Sequence, residues 1–407
     1  MTPGFASLPA PTRRAILLLS FATFASMAVQ RICDAMLPEL SRVFAVSLTQ
    51  AAQVVSMFAV VYGLAQLFYG PLGDRLGKFR VITFATLACS VGCVMAVFAW
   101  SLDFLVLARV LVALGAAAII PLSLAWIGDA VAYNVRQETL ARVGLGTTLG
   151  ITGGQLAGGL LTDTLGWRWA FVFMTALFGV VGLLMLLDLK RQQASPAANT
   201  AQAEPTARPG FVAQVLMIVT GPWSRIVLAV ALVEGAAGFG VMAIWAAHLH
   251  QTLGLSLSAS GAIVALFGIG GMAYMAAASH LIRRLGERGL TLTGVGLMGL
   301  SALVMAYAPA WWPTLPASLL AGFGFFMFHN TMQANATQMA PAARGTAVSL
   351  FASALFLGQS VGVMLAASLV PRIGSAAVIA CGGGSLFVLG AFFAQALRWR
   401  DRLLHAG

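Results

Sequence analysis

The chain alternates long apolar stretches with short polar turns, and the stretches have the length of membrane-crossing helices. One runs from about Val54 to Phe68 and the next from about Val81 to Trp100. Between them lies Gly70-Pro71-Leu72-Gly73-Asp74-Arg75-Leu76-Gly77-Lys78-Phe79-Arg80. A helix needs about 20 mostly apolar residues to span a bilayer. On that measure the pattern predicts twelve spans. The first six lie near 13–37, 49–72, 80–100, 103–128, 139–163 and 168–188. The second six lie near 223–250, 257–282, 289–308, 312–338, 345–370 and 374–397. Arg13-Arg14 and the apolar run behind them have the look of a signal peptide. The run continues to Leu37, however, with Arg31 and Asp34 inside it, which fits a retained first span.

The one long polar stretch, Lys190 to Pro209, is rich in Ala, Pro and Gln and lacks apolar periodicity. It reads as a flexible linker. The chain is therefore expected to divide into an N-terminal bundle (1–189), a linker (190–222) and a C-terminal bundle (223–407). The halves echo each other. Arg75-Leu76-Gly77 follows span 2 and Arg284-Leu285-Gly286 follows span 8, while Gly154-Gln155 in span 5 matches Gly358-Gln359 in span 11. Duplication of this kind implies two bundles facing each other across a cavity.

Composition agrees with a membrane setting. Of 407 residues, 60% are hydrophobic and 9% charged, against about 25% charged in soluble proteins. The net charge of +11 does not point to nucleic acid, because the basic residues gather in loops on one side. With both termini on the same side, that side carries Arg13, Arg14, Arg75, Lys78, Arg80, Arg136, Arg142, Lys190, Arg191 and most of the remainder. The opposite side has Arg42, Arg168 and Arg372. The positive-inside bias then makes the termini and the linker cytoplasmic. The four cysteines (Cys33, Cys89, Cys93 and Cys381) lie in apolar segments without zinc or redox spacing. No cofactor or metal is called for, and His-Glu-x-x-His, a Walker loop and a sizeable soluble domain are missing from the sequence, which disfavours an enzyme or direct ATP drive.

Several motifs resemble those of the major facilitator superfamily, a family of secondary transporters. Its loop pattern, Gly-x-x-x-Asp-Arg-x-Gly-basic-basic, is matched by Gly70, Asp74, Arg75, Gly77 and Lys78. Phe79 replaces the second basic residue and Arg80 follows. Gly70 and Gly77 are expected to allow close helix approach and a tight turn. The resemblance implies that Asp74, with Arg75 or Lys78 and with Asp129 at the end of span 4, latches a cytoplasmic gate. Arg109 in span 4 resembles an arginine of proton-coupled members. It needs an anion or backbone oxygens, and its roles as modulator of a carboxylate, structural ion-pair partner or outward snorkel are all open. Span 5, Gly146-x3-Gly150-x3-Gly154-Gln155-x-x-Gly158-Gly159, resembles an antiporter signature in which Gln155 replaces a proline.

Asp34 in span 1 and Glu234 in span 7 are acids inside spans, where a carboxylate is costly unless paired or protonated. Arg31 lies one turn from Asp34, and Asp34-x-x-x-Pro38 resembles the end of span 1 in 12-span drug:proton antiporters. Asp34, Arg31, Arg109 and Glu234 are thus candidates for proton coupling, with permanent salt bridges as the alternative. Span 10 is unusually polar: Asn330, Gln333 and Thr337 share one helical face. Asn330, Gln333 and His329, together with Gln155 and Gln359, are candidates for the cargo cavity, although the two glutamines would serve equally as interhelical glue. The resemblance implies an all-α integral membrane protein of twelve helices in two pseudo-symmetric six-helix bundles. It would work as a monomer in a bacterial inner membrane, exporting small organic molecules in exchange for protons. A facilitator or importer of an anionic metabolite is the competing expectation.

Overall fold

The computed structural model describes residues 8–193 and 210–405, in which the regular secondary structure is helical and short turns join the helices. Nine helices among the described residues are long and apolar enough to cross a membrane. The 51-residue helix Leu257–Tyr307 turns at Gly286 (φ 62°, ψ 178°), where glycine's freedom is used, and so supplies spans 8 and 9. Tyr133–Thr164 and Thr314–Gln338 are long enough but more polar, being rich in Gly, Thr and amides, and they form spans 5 and 10. The remaining spans are Ala10–Arg31 with Leu37–Val43 (span 1), Gln53–Leu76 (2), Lys78–Val97 (3), Leu102–Ala130 (4), Trp167–Gln193 (6), Pro222–Leu253 (7), Arg344–Ile373 (11) and Ser375–His405 (12). Twelve spans result among the described residues, in two bundles of six, as the sequence pattern predicts.

Residues 194–209 of the expected linker lie outside the described residues. Its last part is helical: Phe211–Thr220 forms a short apolar helix before span 7.

Spans 1 and 7 are both interrupted. Span 1 stops at Arg31, turns through 32–36 and resumes at Leu37. Pro38 explains the break, since it has no N–H and its ring excludes a helical carbonyl four residues back, at Asp34. Span 7 passes from α-helix at Glu234 into a π-helix, Gly235–Gly240, and turns again before Trp245. Short π-segments are rare and gather at functional sites. Both candidate acids therefore sit at breaks.

The halves pack alike. Gly146, Gly150, Gly154 and Gly158 of span 5 press on the backbone carbonyls of Ser20, Phe24, Ala28 and Ile32 of span 1. In the other half, Gly358 and Gly362 of span 11 press on the carbonyls of Leu232 and Ala236 of span 7. The sequence separation is the same in both sets, so Gln155 corresponds to Gln359 and Gln30 to Glu234. Small residues let backbones close to contact, which drives helix association in lipid.

The bundles meet through spans 2 and 11 and through spans 5 and 8. On the side opposite the termini, Thr49 Oγ1 donates to the Ala367 carbonyl at 2.9 Å and Asp163 accepts from Ser258 N at 2.8 Å. At mid-depth Ser353 Oγ donates to the Gly63 carbonyl at 2.6 Å, and Tyr62 meets the edge of Phe356 with ring centroids 4.6 Å apart. Nearer the termini an added Cβ at Gly144 or Gly345 would meet nothing within 4 Å. The inter-bundle seam thus joins the far side to mid-depth.

The glycine seam is testable by thermal unfolding in detergent. Gly154→Ala drives a methyl into the Ala28 carbonyl and is expected to cost about 1–3 kcal/mol, seen as a lower midpoint. Gly296→Ala points into open space and should leave the midpoint unchanged or raise it. Equal midpoints for the two variants would show that the seam does not hold the bundle.

Candidate functional site

The break in span 1 presents three buried polar residues side by side, Gln30, Arg31 and Asp34. Arg31 Nη1 lies 3.5 Å from Asp34 Oδ2. The same carboxylate oxygen accepts from Gln155 Nε2 of span 5 at 2.8 Å. The second oxygen of Asp34, the guanidinium nitrogens of Arg31 and both amide atoms of Gln30 have no hydrogen-bond partner among the described residues. Instead the guanidinium of Arg31 lies flat over Phe239, 3.9 Å from its ring centroid. Phe239 belongs to the π-segment of span 7, so this cation–π contact crosses between bundles. Removing one member of a buried ion pair commonly costs about 3–5 kcal/mol, so the pair has a strong hold on local structure.

The C-terminal bundle answers with a second cluster. Glu234 is fully buried, and its Oε1 lies 3.0 Å from His329 Nδ1 of span 10, while its Oε2 has no hydrogen-bond partner among the described residues. The imidazole stacks on Phe325 at 5.2 Å with the rings 10° from parallel, and faces Phe351 at 5.6 Å. Gln359 is fully buried with both amide atoms unpaired among the described residues. Where Gln155 serves Asp34, its counterpart Gln359 is thus enclosed beside span 7 rather than set on an open wall.

Of the partners expected for Arg109, the structure supplies backbone oxygens, and among the described residues it forms no ion pair with a carboxylate. Nη1 donates to the Val29 carbonyl at 2.7 Å and Nε to the Val54 carbonyl at 3.3 Å, with the guanidinium 4.1 Å above the Phe58 ring. It is fully buried. The carbonyl of Val29 lies near the end of span 1's first helix, so Arg109 pins spans 1, 2 and 4 together just before the break.

The charged loop forms a three-membered cluster. Lys78 Nζ lies 2.8 Å from Asp74 Oδ1 and 2.7 Å from Asp129 Oδ2. Of the two expected cations, Lys78 makes the contact, and Arg75 and Arg80 are exposed on the turn. All three members belong to the first bundle, tying the ends of spans 2, 3 and 4. Gly77 makes the turn at φ +88°. Close approach occurs at Gly73, against Leu122, and not at Gly70, where an added Cβ would meet nothing within 4 Å.

On span 10, Gln333 is exposed and Asn330 and Thr337 are half-buried, as their shared face requires. Asn335, on the buried face, accepts from Arg400 Nη1 at 2.6 Å, and Arg400 Nη2 lies 3.0 Å from Glu287 in the span 8–9 connection. Here too one cation bridges oxygens of neighbouring helix ends, but it comes from span 12, and Glu287 stands one residue after the turn glycine, where the first half has Lys78. Sequence reading missed this cluster, as it missed Asp188, buried at the end of span 6 and paired with Arg14. No local spacing links Arg400 to Asn335. Gln30 and Phe239 were missed as well, although Gln30 beside Arg31 in an apolar run was a visible signal. Of the four cysteines, Cys33, Cys89 and Cys93 are buried and Cys381 is exposed.

A model of the Major Facilitator Superfamily matches residues 19–363. The chain belongs to that family. It is 24% identical over 303 residues to the uncharacterized MFS-type transporter YwfA of Bacillus subtilis, covering 74% of this chain and 72% of that one. It is 29% identical over 340 residues to an MFS-type efflux pump of Mycolicibacterium smegmatis, covering 79% and 76%. Among solved structures, the nucleoside transporter NupG superposes with a TM-score of 0.76 at 14% identity, covering 94% of this chain and 99% of that one. The family and fold are those of membrane transporters and not of enzymes.

The role of Arg109 as a staple is checked by substitution. Arg109→Met removes charge-assisted hydrogen bonds to two buried carbonyls, at about 1.5–3 kcal/mol each, and should lower the unfolding midpoint strongly. Arg42→Ala removes an exposed pair with Glu39, worth about 0–1 kcal/mol, and should not. A stable Arg109→Met protein would mean that the carbonyl contacts contribute little.

Proposed function

We propose that this transporter is a proton-coupled exporter of small organic molecules, working by alternating access in a bacterial inner membrane with its termini in the cytoplasm. The reading rests on one observation above the others: Asp34 lies at a break in span 1, beside the bundle seam, held by Gln155 through one oxygen only. Protonating Asp34 releases Arg31 from its counter-ion. The freed guanidinium then depends on Phe239 across the seam, a contact that rocking of one bundle against the other must break. Proton occupancy and the choice of open face are thereby linked. Glu234 and His329 form the corresponding titratable pair in the second bundle, and Asn330 and Gln333 offer amides to cargo from the side of the termini. Similarity to an efflux pump supports export as the direction.

The two moving units in this reading are residues 1–189 and 223–407, joined by 190–222, and one chain suffices. The Asp74–Lys78–Asp129 cluster keeps the ends of spans 2, 3 and 4 together as one gate edge. A second reading, uptake or facilitated movement of an anionic metabolite, draws on Arg31, whose guanidinium nitrogens have no hydrogen-bond partner among the described residues.

The deciding measurement is proton release from acid-loaded proteoliposomes during exposure to cationic, neutral and anionic compounds. Cargo-induced alkalinisation in the wild type, lost in Asp34→Asn with cargo exchange retained, is the expected result. Cargo flux without proton flux would overturn antiport and favour the facilitator.

Lys78→Met leaves Asp74 and Asp129 unpaired on one gate edge. It should slow transport about ten-fold or less, corresponding to roughly 1 kcal/mol for a largely exposed cluster, with folding intact. Full activity in Lys78→Met would remove the gate role.

A further inference from the structure

We propose that the helix Phe211–Thr220 lies in the surface layer of the bilayer leaflet on the side of the termini, and that it ties this leaflet to the junction between spans 10 and 11. The helix reads Phe-Val-Ala-Gln-Val-Leu-Met-Ile-Val-Thr: ten residues, none charged. It is too short to span. Its outer face is nevertheless apolar, with Val212 78%, Leu216 60%, Met217 48% and Val219 37% exposed. A contiguous apolar face of this kind marks an interaction surface.

The bilayer is the occupant that the surroundings specify. The helix ends at Gly221, and span 7 begins at once with Pro222 and Trp223, so the helix is fixed at the level where a span leaves the lipid. Arg225 holds this corner by donating to the Val219 carbonyl at 3.0 Å. Together with Arg344 at the start of span 11, it supplies positive charge suited to lipid phosphates at that level. A helix with its apolar face turned outward at this depth gains free energy by entering the boundary between headgroups and acyl chains.

The inner face is docked on the span 10–11 junction. Ile218 is buried among Ala340, Ala343 and Ala347. Gln214 Oε1 accepts from Thr346 Oγ1 at 2.6 Å. The same few residues, 340–347, connect the polar cavity helix to the helix that forms one half of the bundle seam. Any movement of the start of span 11 therefore carries the helix with it, and the helix drags on the leaflet.

The test uses the full-length protein in lipid vesicles, with Cys381→Ser to remove the exposed native thiol. Leu216→Cys is compared with Arg284→Cys, an exposed residue in the span 8–9 connection on the same side. A charged, membrane-impermeant thiol reagent with access to that side is expected to label Leu216→Cys about ten-fold more slowly, because lipid covers it. Equal rates would mean that water or a soluble partner covers this face, and would overturn the proposal whether or not the protein exports anything. The tie to span 11 rests on the exporter reading. Leu216→Asp should slow cargo efflux from vesicles several-fold while leaving the unfolding midpoint in detergent unchanged. An unaltered efflux rate would overturn the tie.

Discussion

A charge placed among membrane helices has to be satisfied inside the protein, because lipid supplies neither counter-ion nor hydrogen bond. Much of this structure follows from how it meets that demand at Arg31, Asp34, Arg109 and Glu234. Arg109 meets it with two backbone carbonyls and an aromatic face, and it thereby fixes three helices of the first bundle. Arg31 and Asp34 meet it only partly, through a 3.5 Å contact, one glutamine and a ring from the other bundle. Glu234 is met by one side chain among the described residues, His329. Arg109 is the best satisfied of the four, and Arg31 reaches across to the other bundle for its ring.

Backbone geometry puts them there. Pro38 breaks span 1 at Asp34, and the glycine-rich π-segment breaks span 7 just after Glu234. A broken helix exposes polar backbone, which the fold tolerates only where protein or a water-filled cavity can receive it. The glycine seams of spans 5 and 11 press on these same segments, so the breaks are braced from behind in both halves. Duplication explains the shared register, and divergence explains why one half carries Gln30 where the other carries Glu234.

The ionic clusters on the side of the termini repeat the logic at the surface. Lys78 bridges two carboxylates in one half. In the other, Arg400 bridges Glu287 and Asn335. Exposed pairs contribute little singly. Their value lies in holding three helix ends together as a unit that can move as one body.

The number and approximate length of the spans were legible in the chain, because the bilayer imposes a length that composition alone must satisfy. The Asp74 loop, the pairing of Arg31 with Asp34 and the shared face of Asn330, Gln333 and Thr337 were legible for a related reason: each is local, set by helical spacing or a short motif. What the tertiary structure decided is everything that joins distant segments. Arg109 chose carbonyls over carboxylates, His329 chose Glu234, and Arg31 found Phe239 in the opposite bundle. Lys78 and not Arg75 closed the loop cluster, and a stretch read as linker folded into the helix 211–220. These outcomes depend on which helix faces which, and at what height. That is fixed by glycine contacts and helix breaks acting over the whole bundle, and no local spacing encodes it.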